Sequence, residues 1–175
     1  MRKKRSDENM LKISQKHLGY ELDMLVQTAN WLATYYGALP PNAAPMTNAF
    51  LESFLIHTRN LLDFLYPQRP KPEDVIAEDF FDDPKTWWLK RHKQTKLLSS
   101  SRDRIAKEMV HLTYDRLLVT KERKPWPFLA ISADIIHTFN IFCELAPPHR
   151  ICLRPPAPSP VRQVLIATKF PVTSP

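Results

Sequence analysis

Apolar residues recur at helical spacing over most of the chain, and this repeat predicts four long helices. The first helix is expected to run from about Asp7 to Tyr36, and the second from about Met46 to Leu65. The third reads RDRIAKEMVHLTYDRLL, with the serines at 99–101 as candidate N-caps, and the fourth runs from about Pro127 to Leu145. Few glycines and many leucines also favour helices over strands.

A proline-rich connector, residues 66–84, separates the second and third helices. One short helix is expected around Glu73–Glu78, and another is expected to follow a cap at Asp83. This second short helix carries Trp87 and Trp88, a pair that could stack on bases or pack against the core.

Each long helix has one apolar face, and four such faces are buried together in a helical bundle. We therefore predict an all-α protein, an antiparallel four-helix bundle over residues 7–146 with a proline-rich crossover that contains short helices. Residues 1–6 are expected to form a basic N-terminal tail. Residues 147–175 are expected to form a proline-rich C-terminal tail that is extended or disordered.

Composition excludes several classes of site. The chain has only two glycines, Gly19 and Gly37, and this excludes glycine-rich phosphate loops, nucleophile elbows and dinucleotide fingerprints. The two cysteines, Cys143 and Cys152, are too few for a disulfide scaffold and form no zinc pattern with histidine. We therefore expect no metal and no cofactor.

Thiol and hydropathy patterns indicate a cytoplasmic protein. The two cysteines could form one bridge, but two reduced thiols in a cytosolic protein are the simpler interpretation. The basic residues at 1–5 are followed by polar residues rather than by the apolar run of a signal peptide. The most apolar segment, PWPFLAISADIIHTFNIFCEL, contains Asp134, His137 and Glu144, which are costly in lipid. A buried core helix is therefore expected, with no membrane contact.

The net charge of the chain does not decide what kind of partner it binds. The formal net charge is +7, of which the first five residues carry four positive charges. Further basic clusters lie at 90–96 and 121–124. A basic surface of this kind is typical of RNA binding, but an ordinary solvated surface explains it as well.

The second long helix carries polar residues inside its apolar run, FLIHTRNLLDFLY. At 100° per residue, His57 and Asn60 fall at the edge of a helix–helix interface, whereas Arg59 and Asp63 are spaced for a surface ion pair. His57 is either a core-edge imidazole hydrogen-bonded to a neighbouring helix or a group that lines a functional pocket.

The third long helix places Arg104, Glu108, His111 and Asp115 in one row beside its apolar stripe. Histidine exchanges protons near neutral pH, and a permanently charged arginine can bind a phosphate. These groups suit metal-independent RNA cleavage, in which the 2′-hydroxyl loses a proton and the leaving oxygen gains one. The alternative is two surface ion pairs at i, i+4 spacing, which contribute little to stability.

The stretch RIAKEMVH, from Arg104 to His111, resembles the motif of the HEPN proteins (higher eukaryotes and prokaryotes nucleotide-binding). That motif is an arginine, often followed by a polar residue, then four to six residues and a histidine. The resemblance implies a four-helix, frequently dimeric bundle, in many members a metal-independent RNase, with Arg104 and His111 as the catalytic pair near a dimer seam. This chain departs from the pattern at Ile105, where the family usually has Asn, Asp or His.

Two hypotheses follow. In the first, the protein is a HEPN-like RNase or an RNase-derived protein, with His57 and Asn60 lining the cleft of Arg104 and His111. Glu108 and Asp115 support the pair in this hypothesis. In the second, it is a noncatalytic helical module that binds a protein partner and uses its polar rows for specificity. The candidate partners are RNA, a second copy of the chain and another protein.

Overall fold

The computed structural model describes residues 5–110, 114–119 and 125–153, and the regular structure in that part of the chain consists of helices, with no strand. The prediction of an all-α protein is therefore confirmed. The α-helices are α1 (Asp7–Ile13), α2 (Gly19–Tyr35), α3 (Ala44–Leu65), α4 (Lys85–Lys90), α5 (Lys96–Ile105) and α6 (Phe128–Leu145). Two π-helical segments (Ser14–Leu18 and Ala106–Val110) and three 3₁₀ segments (Pro41–Ala43, Ala77–Phe80 and Tyr114–Leu118) complete the regular structure.

The start of α5 differs from the prediction. The candidate caps at 99–101 lie inside the helix, and Ser101 is buried there. Thr95 is the N-cap instead, because its backbone is extended and its Oγ1 accepts a hydrogen bond from the Leu98 amide at 3.2 Å. The helix therefore begins six residues earlier than RDRIAKEMVHLTYDRLL implies.

The third helical segment is also interrupted, which corrects the predicted continuous α-helix. Its α-helical hydrogen bonding ends at Ile105 and gives way to the wider π turn of 106–110. A 3₁₀ turn forms at 114–118. The predicted row of four polar residues assumed unbroken α-helical spacing, and this assumption holds only up to the π segment.

The connector between α3 and α5 contains one 3₁₀ turn and α4. The 3₁₀ turn lies at Ala77–Phe80 rather than at 73–78. Asp83 accepts a hydrogen bond from the Lys85 amide at 3.0 Å, as a residue at the start of a helix does. On α4, Trp87 is fully buried, and its indole Nε1 donates to the Leu65 carbonyl oxygen at 3.2 Å. The connector is thereby anchored to the end of α3.

Contacts between α2 and α3 show that these helices run in opposite directions. The Trp31 ring, late in α2, stacks on the Phe50 ring, early in α3, with centroids 3.9 Å apart. Glu21, early in α2, contacts His57, later in α3. The two helices are joined by the short turn that contains the 3₁₀ segment at 41–43.

The α5 and α6 helices also run in opposite directions. Thr95, at the start of α5, donates a hydrogen bond to Asp134 within α6, with 2.7 Å between the oxygens. Arg104, at the end of α5, lies over the ring of Trp126, just before α6 begins. The chain between these contacts therefore turns back along itself.

Aromatic residues of α3 and α6 form the centre of the core. Phe54 meets Phe128 edge-to-face at 5.4 Å, and Phe64 meets Phe142 edge-to-face at 5.0 Å between ring centroids. Phe80 of the connector packs edge-to-face on both Phe64 and Phe142. These perpendicular pairs place the positive edge of one ring on the negative face of another. The contact further along α3 is also the contact further along α6, so α3 and α6 run in the same direction.

The α6 helix, within the described part of the chain, is long and apolar enough to cross a membrane by length and composition alone. Core helices of soluble proteins pass the same test. Seven of its residues are buried here: Phe128, Ile131, Ser132, Ile135, Thr138, Phe139 and Phe142. Tyr66 and Thr138 share a buried hydrogen bond of 3.0 Å between their hydroxyl oxygens.

Residues 147–153, the described part of the predicted C-terminal tail, lie against the helices. Arg150 is 5% exposed, and its guanidinium donates to Asp7 and to Asp82, each at 2.6 Å. It also donates to the Phe80 carbonyl oxygen at 3.2 Å. This one side chain ties the first helix, the connector and the C-terminal segment together. The remainder of the predicted tail lies outside the described residues.

Candidate functional site

A polar cluster on the α2–α3 interface contains two of the predicted site residues. The ionised Glu21 carboxylate accepts a hydrogen bond from His57 Nδ1 at 2.7 Å and another from Asn60 Nδ2 at 3.1 Å. The His57 side chain is only 9% exposed, and the Tyr20 ring packs nearly perpendicular to it with 5.5 Å between centroids. The arrangement matches the first interpretation of His57, an imidazole at the edge of the core bonded to a neighbouring helix.

The Glu21 carboxylate is held in its charged form by these donors. Burial raises the pKa of Glu21, but the hydrogen bonds from His57 and Asn60 and the charges of His57 and His17 oppose this effect. The net result is a pKa below the ordinary value of a glutamate. The cluster therefore acts as a satisfied polar contact between two helices.

A second polar cluster surrounds Arg104, at the end of α5, where this helix meets the residues just before α6. Its Nε lies 2.9 and 2.8 Å from the two carboxylate oxygens of Glu108, and Nη1 donates to the Pro125 carbonyl oxygen at 3.2 Å. The guanidinium carbon stands 3.8 Å from the centre of the Trp126 ring, a close cation–π contact. Arg104 is 17% exposed and Glu108 12% exposed, so both groups are largely removed from water.

The two clusters lie on different helix interfaces. His57 and Asn60 contact α2, whereas Arg104 and Glu108 contact the entry to α6. No hydrogen bond or ion pair among the described residues joins the two clusters directly. His111 lies outside the described residues, as does the side chain of Asp115. The role of His111 as a partner of Arg104 stays a prediction.

An open groove between α3 and the segment 105–109 is lined by Asn60 and Glu108 among other residues. It has a volume of about 680 Å³ and a mixed lining, in which Ile56, Ile105 and Met109 are among the apolar members. Neither His57 nor Arg104 belongs to its lining. The predicted site residues are thus divided, with one member of each cluster on the groove and the other inside the protein.

A second groove, of about 760 Å³, adjoins the first and shares Arg59, Asn60 and Asp63 with it. Arg59 pairs with Asp63 across one helical turn at 3.6 Å, the ion pair that their spacing predicts. Arg102 of α5 lies 3.5 Å from the same carboxylate and donates to the Leu62 carbonyl oxygen. The groove wall is therefore a mixed-charge surface without a dominant sign.

Two important partners were missed by sequence reasoning. Glu21 was not singled out because its polar contacts are made with another helix, and only the pairing of helices reveals them. Trp126 lies in the run KERKPWP, which marks a chain break, and nothing in that run signals a partner for Arg104. A rule that pairs each core-edge histidine with carboxylates on other predicted helices would have included Glu21 among its candidates.

Metal ligands were also sought. Among residues 5–110, 114–119 and 125–153, no group of three His, Cys, Asp or Glu side chains is placed to hold a metal ion. His92 and His137 form a pair, with 3.1 Å between His92 Nδ1 and His137 Nε2, and both are exposed. A hydrogen bond between the two imidazoles accounts for this distance.

Comparisons of the chain with protein-family models, with curated proteins and with solved structures find no match. The contacts of the chain's own residues are therefore what bears on its function.

Proposed function

We propose that this chain is a noncatalytic helical interaction module with the antiparallel four-helix bundle of a HEPN-like protein. The opposite directions of α2 and α3, the opposite directions of α5 and α6, and the common direction of α3 and α6 all support such a bundle. In an up-and-down bundle, chain neighbours are antiparallel, and every second helix is parallel.

One observation carries the proposal of a noncatalytic module: the described side chains selected for catalysis are engaged by partners within the chain. Arg104 is bound to Glu108, to the Pro125 carbonyl and to the face of Trp126. His57 and Asn60 are bound to Glu21 on a separate interface. A phosphate approaching Arg104 would have to compete with an ion pair that is shielded from water. Such polar groups fix the register of helices instead.

The test is incubation of the purified protein with mixed RNA, with and without EDTA, beside the His111→Ala variant. We expect no cleavage above the level of a buffer control by either protein. A thermal melt of the variant shows that it is folded. Cleavage by the wild type that persists in EDTA and disappears in His111→Ala would overturn the proposal.

The second candidate is a metal-independent RNase that uses Arg104 and His111. It is favoured by the groove, whose lining includes both Asn60 of α3 and Glu108 of the motif-bearing segment. In that reaction His111 would take the proton of the 2′-hydroxyl or give one to the leaving oxygen, and Arg104 would stabilise charge on the phosphate. It requires Arg104 to exchange part of its contact with Glu108 for substrate, so Glu108→Gln should raise the cleavage rate.

A homodimer and a cytoplasmic location remain proposals beside either candidate. The HEPN-like motif suggests the dimer, and the two free thiols agree with a reducing compartment. Sedimentation equilibrium of the purified chain would measure its oligomeric state directly.

A further inference from the structure

The adjacent tryptophans of α4 have opposite environments. Trp87 is fully buried and bonded to the Leu65 carbonyl oxygen, whereas Trp88 is 61% exposed. Arg91, at the end of α4, donates to the same carbonyl at 2.9 Å and lies over the Tyr66 ring. The short helix is therefore anchored to the core through Trp87 and Arg91, and this fixes the exposed position of Trp88.

The outer side of α4 presents an apolar pair within a positively charged surrounding. Leu89, beside Trp88, is 69% exposed. Four exposed lysines follow this pair or flank it: Lys85, Lys90, Lys93 and Lys96. Residues 85–102 contain no Asp or Glu. Of the two carboxylates just before them, Asp82 is paired with Arg150 and Asp83 accepts a hydrogen bond from the Lys85 amide. We call Trp88, Leu89 and these four lysines the α4 surface.

The positive charge of the α4 surface restricts which partners can bind there. The stretch 154–175 carries Arg154, Arg162 and Lys169 and no carboxylate, so its own charge opposes docking there. A second copy that used the same surface would bring lysines against lysines, since a twofold interface pairs each patch with itself. An occupant with negative charge satisfies the lysines, and an apolar side chain on it would cover Trp88 and Leu89.

We propose that the α4 surface binds an acidic segment of a partner protein with apolar residues on one face, an inference that rests on the proposed interaction function. An exposed tryptophan in an apolar centre with a polar rim has the composition of a protein-binding hot spot. Single-stranded nucleic acid is the other polyanion that fits the charge. Platforms for it use successive aromatic rings, however, and Leu89 offers no ring for a base to stack on.

The probe is a fluorescein-labelled helical peptide with leucines at i, i+3 and i+7 and with glutamates at the positions that flank this apolar stripe on both sides. Fluorescence anisotropy with the full-length protein measures its affinity. We expect Trp88→Ala to weaken binding about tenfold or more, and Lys90→Gln to weaken it about threefold and to reduce its dependence on salt. Leu129→Ala removes a half-exposed apolar side chain from α6 and serves as the matched control, with unchanged affinity expected.

Equal binding by wild type and Trp88→Ala would overturn the inference, as would no binding at all. Tighter and Trp88-dependent binding of a short oligouridine would overturn it in favour of nucleic acid. RNA cleavage is scored separately. If the protein neither cleaves RNA nor binds the peptide, only the inference about the α4 surface is overturned. If it cleaves RNA and the cleavage depends on His111, the proposed interaction function is overturned.

Discussion

His57 Nδ1 donates a hydrogen bond to Glu21 across the α2–α3 interface, with 2.7 Å between the two atoms. The imidazole is buried, and the same carboxylate oxygen also accepts from Asn60. A buried polar group without a partner would destabilise the fold, so this contact allows polar residues to occur inside the apolar run of α3. It also fixes how the two helices are aligned along their length.

Glu21→Gln should lower the free energy of unfolding by about 1–2 kcal/mol, because it replaces two charge-assisted hydrogen bonds with weaker neutral ones. Urea unfolding at neutral pH, followed by circular dichroism, measures the change. Glu52→Gln is the matched control, since Glu52 is exposed on α3 and the same substitution there should change stability little. Equal losses in the two variants would show that the cluster has no special stabilising role.

Acid should weaken the same contact. Glu21 has a pKa in the folded protein that lies below its ordinary value, which is about 4.3 in an unfolded chain. The folded state thus binds the proton less readily, so the stabilisation is fully present above that value and is lost as pH falls through the folded pKa. The difference in unfolding free energy between wild type and Glu21→Gln should therefore shrink as pH is lowered from 7 toward 3. A difference that stays constant would contradict the assigned charge state.

Arg104 and Glu108 should be coupled through their partly buried ion pair. Arg104→Met leaves the Glu108 carboxylate without its cation and removes the contact with Trp126, with an expected loss of about 1–3 kcal/mol. Adding Glu108→Met should recover part of that loss, since the uncompensated charge is removed as well. A double-mutant cycle of unfolding free energies gives the coupling. Strictly additive single-variant losses would show that the pair does not interact.

Periodicity was sufficient to locate the two longest helices, since burial of one face imposes the 3.6-residue repeat that the sequence displays. The helix around Phe54 and the helix around Ile135 were found in this way. Local sequence signals gave the wrong N-cap where several residues were able to cap the same helix. A run of serines near 100 gave a stronger cap signal than Thr95 alone, yet the cap is decided by where the connector's extended backbone ends.

The candidate site was harder to predict than the helices because its contacts are made between elements that are distant in sequence. The spacing of Arg104 and Glu108 predicts their pairing, and the structure contains that pair. Spacing says nothing of Trp126, whose ring is brought to Arg104 only when α6 folds back along α5. Likewise, no local pattern distinguishes Trp87 from Trp88, since burial depends on which side of α4 meets α3 and α6.

The two cysteines should react at very different rates. Burial, with a smaller contribution from the charge of Glu144, raises the pKa of the Cys143 thiol to about 12, whereas Cys152 is exposed. Because the thiolate is the reactive form, a thiol reagent at pH 8 should modify Cys152 about 100-fold faster than Cys143. Intact-mass spectrometry over time counts the modified thiols, and Cys152→Ser should leave only the slow phase. Rapid reaction in that variant would place Cys143 in a more open environment.

Arg150 should hold the C-terminal segment on the helices. Arg150→Met keeps the length of the side chain but removes its bonds to Asp7, Asp82 and the Phe80 carbonyl. The expected loss is about 1–3 kcal/mol, because a largely buried cation is replaced and its partners on two separate segments, α1 and the connector, lose their common donor. Arg69→Met, at an exposed position of the connector, is the matched control and should change stability little.

Hydrogen exchange separates local from global effects of that substitution. The Cys152 amide donates to Ser14 Oγ at 2.9 Å, so its exchange reports whether the segment stays in place. In Arg150→Met this amide should exchange faster, even under conditions where amides of α3 remain protected, because only the attachment of residues 147–153 is weakened. Unchanged protection of Cys152 in the variant would show that Ile151 and Leu153, which pack against the core, suffice to hold the segment.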